Sequence, residues 1–253
     1  MRRLLFLSGS LLDRSRFGVS NGYGRCVHNR ADNSTRGFRG LLGERRWAAL
    51  AGSGAMRSYR PREFMLQQGE KGGFLLALTG GRVKVLASER DGSQVLLSLR
   101  GPGDLVGEMA ANRDSRRTAT VQALDHCTAR FLLRPDFDRF LLEKKAHAEF
   151  ADYLVAKLSE TVPYQIHQVH FSPRQRIARL LLEVVRLADP GHPNRWRVPF
   201  SQDGLASALG LARSTVAEQL GALRAGGVLG PGPRVVVADV SALTDLAGAV
   251  TRE

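Results

Sequence analysis

Between residues 107 and 121 the chain reads Gly-Glu-Met-Ala-Ala-Asn-Arg-Asp-Ser-Arg-Arg-Thr-Ala-Thr-Val. These residue types at this spacing suit a small cyclic phosphodiester. Glu108 can accept from a ribose hydroxyl, and nine residues later Arg117 offers a planar, two-pronged donor that fits a phosphate. Thr118 adds a hydroxyl and a backbone N–H beside the guanidinium, while Ala110, Ala111 and Ala119 leave room for a ligand to reach the main chain. From residue types alone, the same stretch also reads as a surface turn with an incidental Glu and Arg.

The elements around it decide whether these groups can converge. From about residue 57 to 133 the pattern is one of short strand-like runs: Phe74-Leu75-Leu76-Ala77-Leu78, Val83-Lys84-Val85-Leu86, Val95-Leu96-Leu97-Ser98-Leu99, residues 118–123 and residues 129–133. Gly80-Gly81 and Asp91-Gly92 are hairpin signals, and many short strands with Gly turns predict a folded-over β structure. After Arg134-Pro135 the period becomes helical. Phe137, Phe140, Leu141, Phe150, Tyr153, Leu154, Leu158, Val162, Ile166 and Val169 recur at three- and four-residue steps, a seam that fits a core helix or a dimer contact. Pro163 should kink that helix or end it locally, since an interior Pro removes a hydrogen bond at a cost of ~3 kcal/mol. Ser172, Pro173 and Gln175 then restart a helix as N-cap, first helical residue and capping-box partner, so an effector–output boundary is expected there.

A second constellation lies at residues 201–225. Ser201 caps a short helix with Leu205, Ala206 and Leu209 inward; Gly210 ends it, Leu211 plugs the turn, and a helix from about Arg213 turns Val216, Leu220 and Leu223 inward. Two short helices about a Gly turn, with a polar face opening the second, predict a helix-turn-helix, with an ordinary helical hairpin as the other reading. Gly226-Gly227-Val228-Leu229, the turn Gly230-Pro231-Gly232 and a strand at 234–237 add a wing.

Gly107-Glu108 followed at this spacing by Arg117-Thr118-Ala119-Thr120-Val121 resembles the phosphate-binding cassette of cyclic-nucleotide-binding domains. Gly80-Gly81-Arg82-Val83-Lys84-Val85, Asp91-Gly92 and Leu99-Arg100-Gly101-Pro102-Gly103-Asp104-Leu105-Val106 are similar to the β-roll of the Crp/Fnr regulators, and Leu211-Ala212-Arg213-Ser214-Thr215-Val216 to the opening of their recognition helix. The resemblance spans about residues 57–245. It implies an α+β chain: a cyclic-nucleotide-binding β-roll (jelly roll), a long dimerisation helix and a C-terminal winged helix-turn-helix. The divisions expected are a loose basic extension at 1–40, the β-roll domain at 41–145, opening on a short amphipathic helix at 41–50, the dimerisation helix at 146–171 and the DNA-binding domain at 172–253.

By the family's pattern, Glu108 holds the ribose 2′-hydroxyl, Arg117 and Thr118 the cyclic phosphate, and Thr161 the adenine ring, with Gly107 and Met109 completing the nucleotide set. Arg213 falls on the Arg that reads guanine O6 and N7, Thr215 on a phosphate contact, and Gln202, Ser214 and Glu218 on other DNA-facing positions. The chain also departs from the pattern. Asn112-Arg113-Asp114-Ser115-Arg116 replaces the usual turn and sets a second cation beside Arg117; Val162 stands where a Ser from the opposite subunit is usual; Ser214 and Glu218 replace a Glu and an Arg. The implied function is a transcriptional regulator whose operator binding is controlled by cyclic AMP. The alternative is a regulator of the same fold that has lost nucleotide binding, acting constitutively or with another effector. Implied partners are double-stranded DNA, a second copy of the chain and RNA polymerase.

Composition agrees with a soluble, cytoplasmic regulator. The chain has 253 residues, 43% hydrophobic and 24% charged, and no apolar run approaches the ~20 residues of a membrane span. Met1-Arg2-Arg3-Leu4-Leu5-Phe6-Leu7 resembles the start of a secretory signal, but Ser8, Gly9 and Ser10 break it and no small-residue cleavage site follows closely. The net charge of +13 divides as +9 over residues 1–60, +1 over 61–171 and +3 over 172–253. The first segment is therefore either a basic arm that adds sequence-independent DNA affinity or an idle extension. Cys26 and Cys127 are too few for an iron–sulfur cluster, and Cys127 reads as a small buried hydrophobe in a strand. His167 and His170 share a helix face but have no Cys or Glu at a ligand spacing, so no metal site is expected. The chain shows no Ser nucleophile elbow, Walker loop or dinucleotide fingerprint, and no enzymatic activity is expected.

Overall fold

The computed structural model of the chain describes residues 36–88, 94–110 and 115–248, apart from the side chains of 161–170. All of these belong to one unit, Asp32–Glu253. The Asp91-Gly92 turn, residues 112–114 of the cassette and the side chains of Thr161, Val162 and Pro163 lie outside the described residues. So does the extension, except at its end. Residues 37–40, expected in a loose segment, belong to helix α1 (Gly37–Leu42), where Phe38 is fully buried. A lone Phe among glycines and arginines gave no periodicity to read. Helix α2 (Glu44–Gly52) follows and buries Trp47 and Leu50.

Among the described residues eight antiparallel strands form the roll: β1 (Ala55–Tyr59), β2 (Phe64–Leu66), β3 (Phe74–Gly80), β4 (Val83–Ser88), β5 (Gln94–Arg100), β6 (Leu105–Val106), β7 (Thr120–Ala123) and β8 (Cys127–Leu133). One sheet has the order β1-β8-β3-β6 and the facing sheet the order β2-β7-β4-β5. Alternation along β3 shows how the layers divide. Leu76 and Leu78 point into the roll with Met65, Leu66, Val83, Val121 and Cys127, whereas Leu75 and Ala77 point out beneath the flanking helices with Phe38, Phe137 and Tyr153. Both faces of β3 are covered, hence its unbroken apolar run. Thr118 and Ala119, expected in a strand, precede β7 instead.

The helical seam after Arg134 is two helices, α3 (Arg134–Glu143) and α4 (His147–His170). They part at Lys145, whose φ of 50° is left-handed, and the Lys145 and Ala146 amides turn back to the carbonyls of Leu142 and Leu141. Helix α4 continues across Pro163, so this proline does not end it. A proline removes only its own amide donor, and the bonds of the neighbouring turns suffice to carry the helix on. Ser172 then opens α5 (Pro173–Leu187) with both halves of a capping box.

Beyond α5 come β9 (Arg197–Val198), α6 (Gln202–Leu209), α7 (Arg213–Ala225), β10 (Val235–Val236) and α8 (Val240–Gly248). β9 pairs with β10, and Leu229 bridges Val237, so the segment 229–237 folds back as a wing. These helices share one hydrophobic cluster with Leu86, Leu96, Leu99 and Leu124, which project outward from the second sheet. Arg82, 1% exposed, sits at that junction. It pairs with Asp125 and donates to the carbonyls of Val184 on α5 and Arg197 on β9, at 2.9 and 3.0 Å.

Candidate functional site

Gly107 has φ 82°, and a Cβ there would stand 2.7 Å from Arg117 Nη1 and 2.8 Å from Leu66 Cδ1. Only glycine allows both this left-handed backbone and this approach. The turn it makes sends Glu108 into a single 3-10 turn, Glu108–Ala110, where the residue is 9% exposed. Arg117, 3% exposed, reaches back across ten residues and donates Nη1 to Gly107 O at 2.8 Å and Nη2 to Phe74 O at 2.9 Å. Its own backbone is fixed by Glu70 O and Gly69 N–H. The two anchors of the motif thus meet at one wall of one cavity.

That cavity, about 190 Å³, is lined by Gly107, Glu108, Met109, Arg117 and Thr118 of the expected set. Leu66, Val85, Leu97 and Ser98 supply the sheet side, and Arg100, Lys157 and Leu158 were not foreseen. Thr161 lies a turn beyond Lys157 on the same helix, and its side chain is outside the described residues. Arg116, expected to add a second cation, instead donates to Gly69 O at 2.7 Å on the exposed rim.

Behind the cavity the loop before β6 is tied to α4. Tyr153 Oη accepts from Leu105 N–H at 2.9 Å and lies 3.0 Å from Leu105 O, and Lys157 Nζ pairs with Asp104 at 2.9 Å. Glu160 bridges Lys157 and Arg100, each at 3.0 Å. Burial would lift the Asp104 carboxyl, but Lys157 and Arg100 outweigh it and hold it below its ordinary value. Glu108 goes the other way: burial pushes its carboxyl up, and Arg100 only partly offsets that. Burial likewise lowers the pKa of Arg117, against the pull of Glu70 and Glu108, though a guanidinium stays charged throughout the physiological range.

The second constellation forms a helix-turn-helix. Ser201 Oγ accepts from Gly204 N–H at 2.9 Å to open α6, Gly210 closes it in the left-handed conformation with φ 58°, and Val216, Leu220 and Leu223 are fully buried under α7. That burial leaves Arg213, Ser214 and Glu218 exposed on the outer face of α7, with Thr215 and Gln202 half-buried beside them. Arg213 Nε is held by Asp203 Oδ1 at 2.7 Å, a partner across the turn that spacing on one helix could not reveal.

Residues 56–144 match the model for the cyclic nucleotide-binding domain, and residues 175–246 that for the Crp-like helix-turn-helix domain. The chain is 27% identical to a cyclic AMP receptor protein of Thermus thermophilus over 190 residues, covering 75% of this chain and 86% of that one. It is 25% identical over 202 residues to the transcriptional activator protein FnrL of Cereibacter sphaeroides, covering 76% and 80%. A crystal structure of a CRP-family transcriptional regulator, also from Thermus thermophilus, superposes with a TM-score of 0.64 at 26% identity, covering 76% of this chain and 97% of the other. With a nucleotide-binding roll and a winged helix-turn-helix matched in their order along most of its length, the chain belongs to the Crp/Fnr family of transcriptional regulators.

Proposed function

We propose that the chain acts by binding rather than turnover, as a cytoplasmic homodimer that grips operator DNA under the control of cyclic AMP. One observation carries the ligand half: Glu108 and Arg117 line the same cavity, the first a buried acceptor and the second a buried cation. Among the described residues the Arg117 guanidinium touches two backbone carbonyls and the Phe74 ring, and a phosphate would supply the counter-charge. Glu108 is the acceptor for a ribose hydroxyl, Thr118 a further donor to phosphate, Gly107 and Met109 the walls beside them, and Thr161 the contact to the base. The name of the Thermus thermophilus relative, a cyclic AMP receptor protein, supports cyclic AMP as the nucleotide.

Self-association is proposed for α4. Ala148, Ala151, Val155 and Leu158 follow one another at helical spacing on its exposed side, with Val155 63% and Leu158 52% exposed. Leu158 also lines the cavity, so a second copy on this face would close the pocket as it buries the seam. Two helix-turn-helix units then face two half-sites, with Arg213 reading a guanine, Ser214 and Glu218 facing neighbouring bases, and Gln202 and Thr215 on phosphates. Regulation requires cyclic AMP to favour one arrangement of α4, since equal affinity for two arrangements shifts neither. RNA polymerase is the expected partner on the DNA.

Calorimetry with cyclic AMP tests the ligand claim. Binding is expected, and Arg117→Ala should weaken it by roughly 2–4 kcal/mol, the loss of a desolvated charge-assisted bond. No heat and no thermal shift at millimolar cyclic AMP would refute it. Gel-shift titration of operator fragments, with and without cyclic AMP, separately tests the DNA claim.

A further inference from the structure

The Arg117 guanidinium is the end of a stack that crosses three strands. Arg117 Cζ lies 4.4 Å from the centre of the Phe74 ring on β3. Phe74 stacks on Phe131 of β8 with ring centres 4.5 Å apart and planes 29° from parallel, and Arg57 of β1 lies over the Phe131 ring at 5.3 Å. The register explains the ladder. Phe74 pairs with Leu133 and Phe131 with Ala55, so Phe74 and Phe131, like Phe131 and Arg57, are diagonal neighbours on the inner face of one sheet.

We propose that Phe74 is a positioning residue for Arg117 and so sets the affinity of the cavity for a cyclic phosphate. The inference rests on the ligand reading above. Phe74 holds the guanidinium twice, by its ring face and by its carbonyl, which accepts from Nη2 at 2.9 Å. Gly107 O takes Nη1, which leaves the remaining N–H donors of the fork for the ligand. Arg117 stands in a segment outside any strand, so without the ring its long side chain would regain rotamers that binding must freeze again. The electron-rich ring face also supports the buried positive charge without neutralising it, whereas a carboxylate in that place would compete with the phosphate.

The test is cyclic AMP calorimetry on the full-length chain and its variants, with thermal melting to confirm folding. Phe74→Leu keeps the carbonyl and most of the apolar volume but removes the ring face. It should weaken binding about tenfold, in line with a desolvated cation–π contact. Phe74→Tyr should restore affinity to within about twofold. In an Arg117→Ala background Phe74→Leu should cause no further loss, because the ring acts through the guanidinium. Unchanged binding by Phe74→Leu, or an equal loss with and without Arg117, would overturn the role while leaving the ligand reading intact. Absence of binding by the unaltered chain would overturn both. Should Phe74→Leu fail to fold, Phe131→Leu decides: a weaker but distinct loss of affinity supports the stack, and none overturns it.

Discussion

Burial lifts the carboxyl of Glu108 above its ordinary 4.5, and the sign of the consequence follows from linkage. A raised folded-state value means that neutral Glu108 favours the fold below the unfolded value and that this contribution is lost as pH rises through the folded one. Glu108→Gln should therefore leave stability unchanged near pH 4 and raise it increasingly toward neutrality, while cyclic AMP binding collapses. Unfolding curves of the two proteins across that range check it, and Asp104, common to both, cancels. Glu108 and Arg117 were legible because the two anchors fall within one short stretch of chain. Arg100, Lys157 and Phe74 were not, since β5, α4 and β3 bring them to the cavity only through the tertiary fold. Lys157 shows why: on a helix it reads as a solvated lysine, yet it is 8% exposed, held by Asp104 and Glu160.

Among the elements, α7 presents the clearest surface for a direct experiment. Arg213→Ala should relax operator specificity at one guanine in each half-site by about 1–3 kcal/mol, seen as coincident affinities for operators with and without that guanine. Footprints identical in position and strength to the parent's would show that Arg213 does not read bases. Helix α4 gives a second outcome. It passes through Pro163, so Pro163→Ala adds a missing amide donor to an existing helix, and urea unfolding should show the chain stabilised by up to about 3 kcal/mol. Operator titrations with and without cyclic AMP should also show a larger ligand effect, because a stiffer α4 passes more of the bias set at the cavity on to the output helices. The helix-turn-helix was readable from caps and a Gly turn, which act locally. The break at Lys144-Lys145-Ala146 was not, because no Gly or Pro marks it, and the two helices had to be told apart by a left-handed lysine. Helix α8 went unread although it carries a local mark, the cap Asp239, which accepts from Ala242 N–H at 2.9 Å.

For the molecule as a whole, Arg82 is the joint. It is 1% exposed, so Arg82→Ala would leave Asp125 without its partner and free two carbonyls, costing about 3–5 kcal/mol in a urea titration. A loss confined to the far C-terminal helices would instead mean that the roll holds together without it. The joint was invisible in the sequence, where Gly81-Arg82-Val83 looks like an ordinary turn entering a strand. Around it Leu86, Leu96, Leu99 and Leu124 of the roll are sealed beneath the output helices. Lifting those helices away would wet four leucines at about 1.5–3 kcal/mol apiece, more than a ligand's preference between two arrangements ordinarily supplies. The oily face is therefore a constraint on any signal between roll and output helices: such a signal would have to turn or slide those helices across the leucines, because unseating them costs more than it supplies.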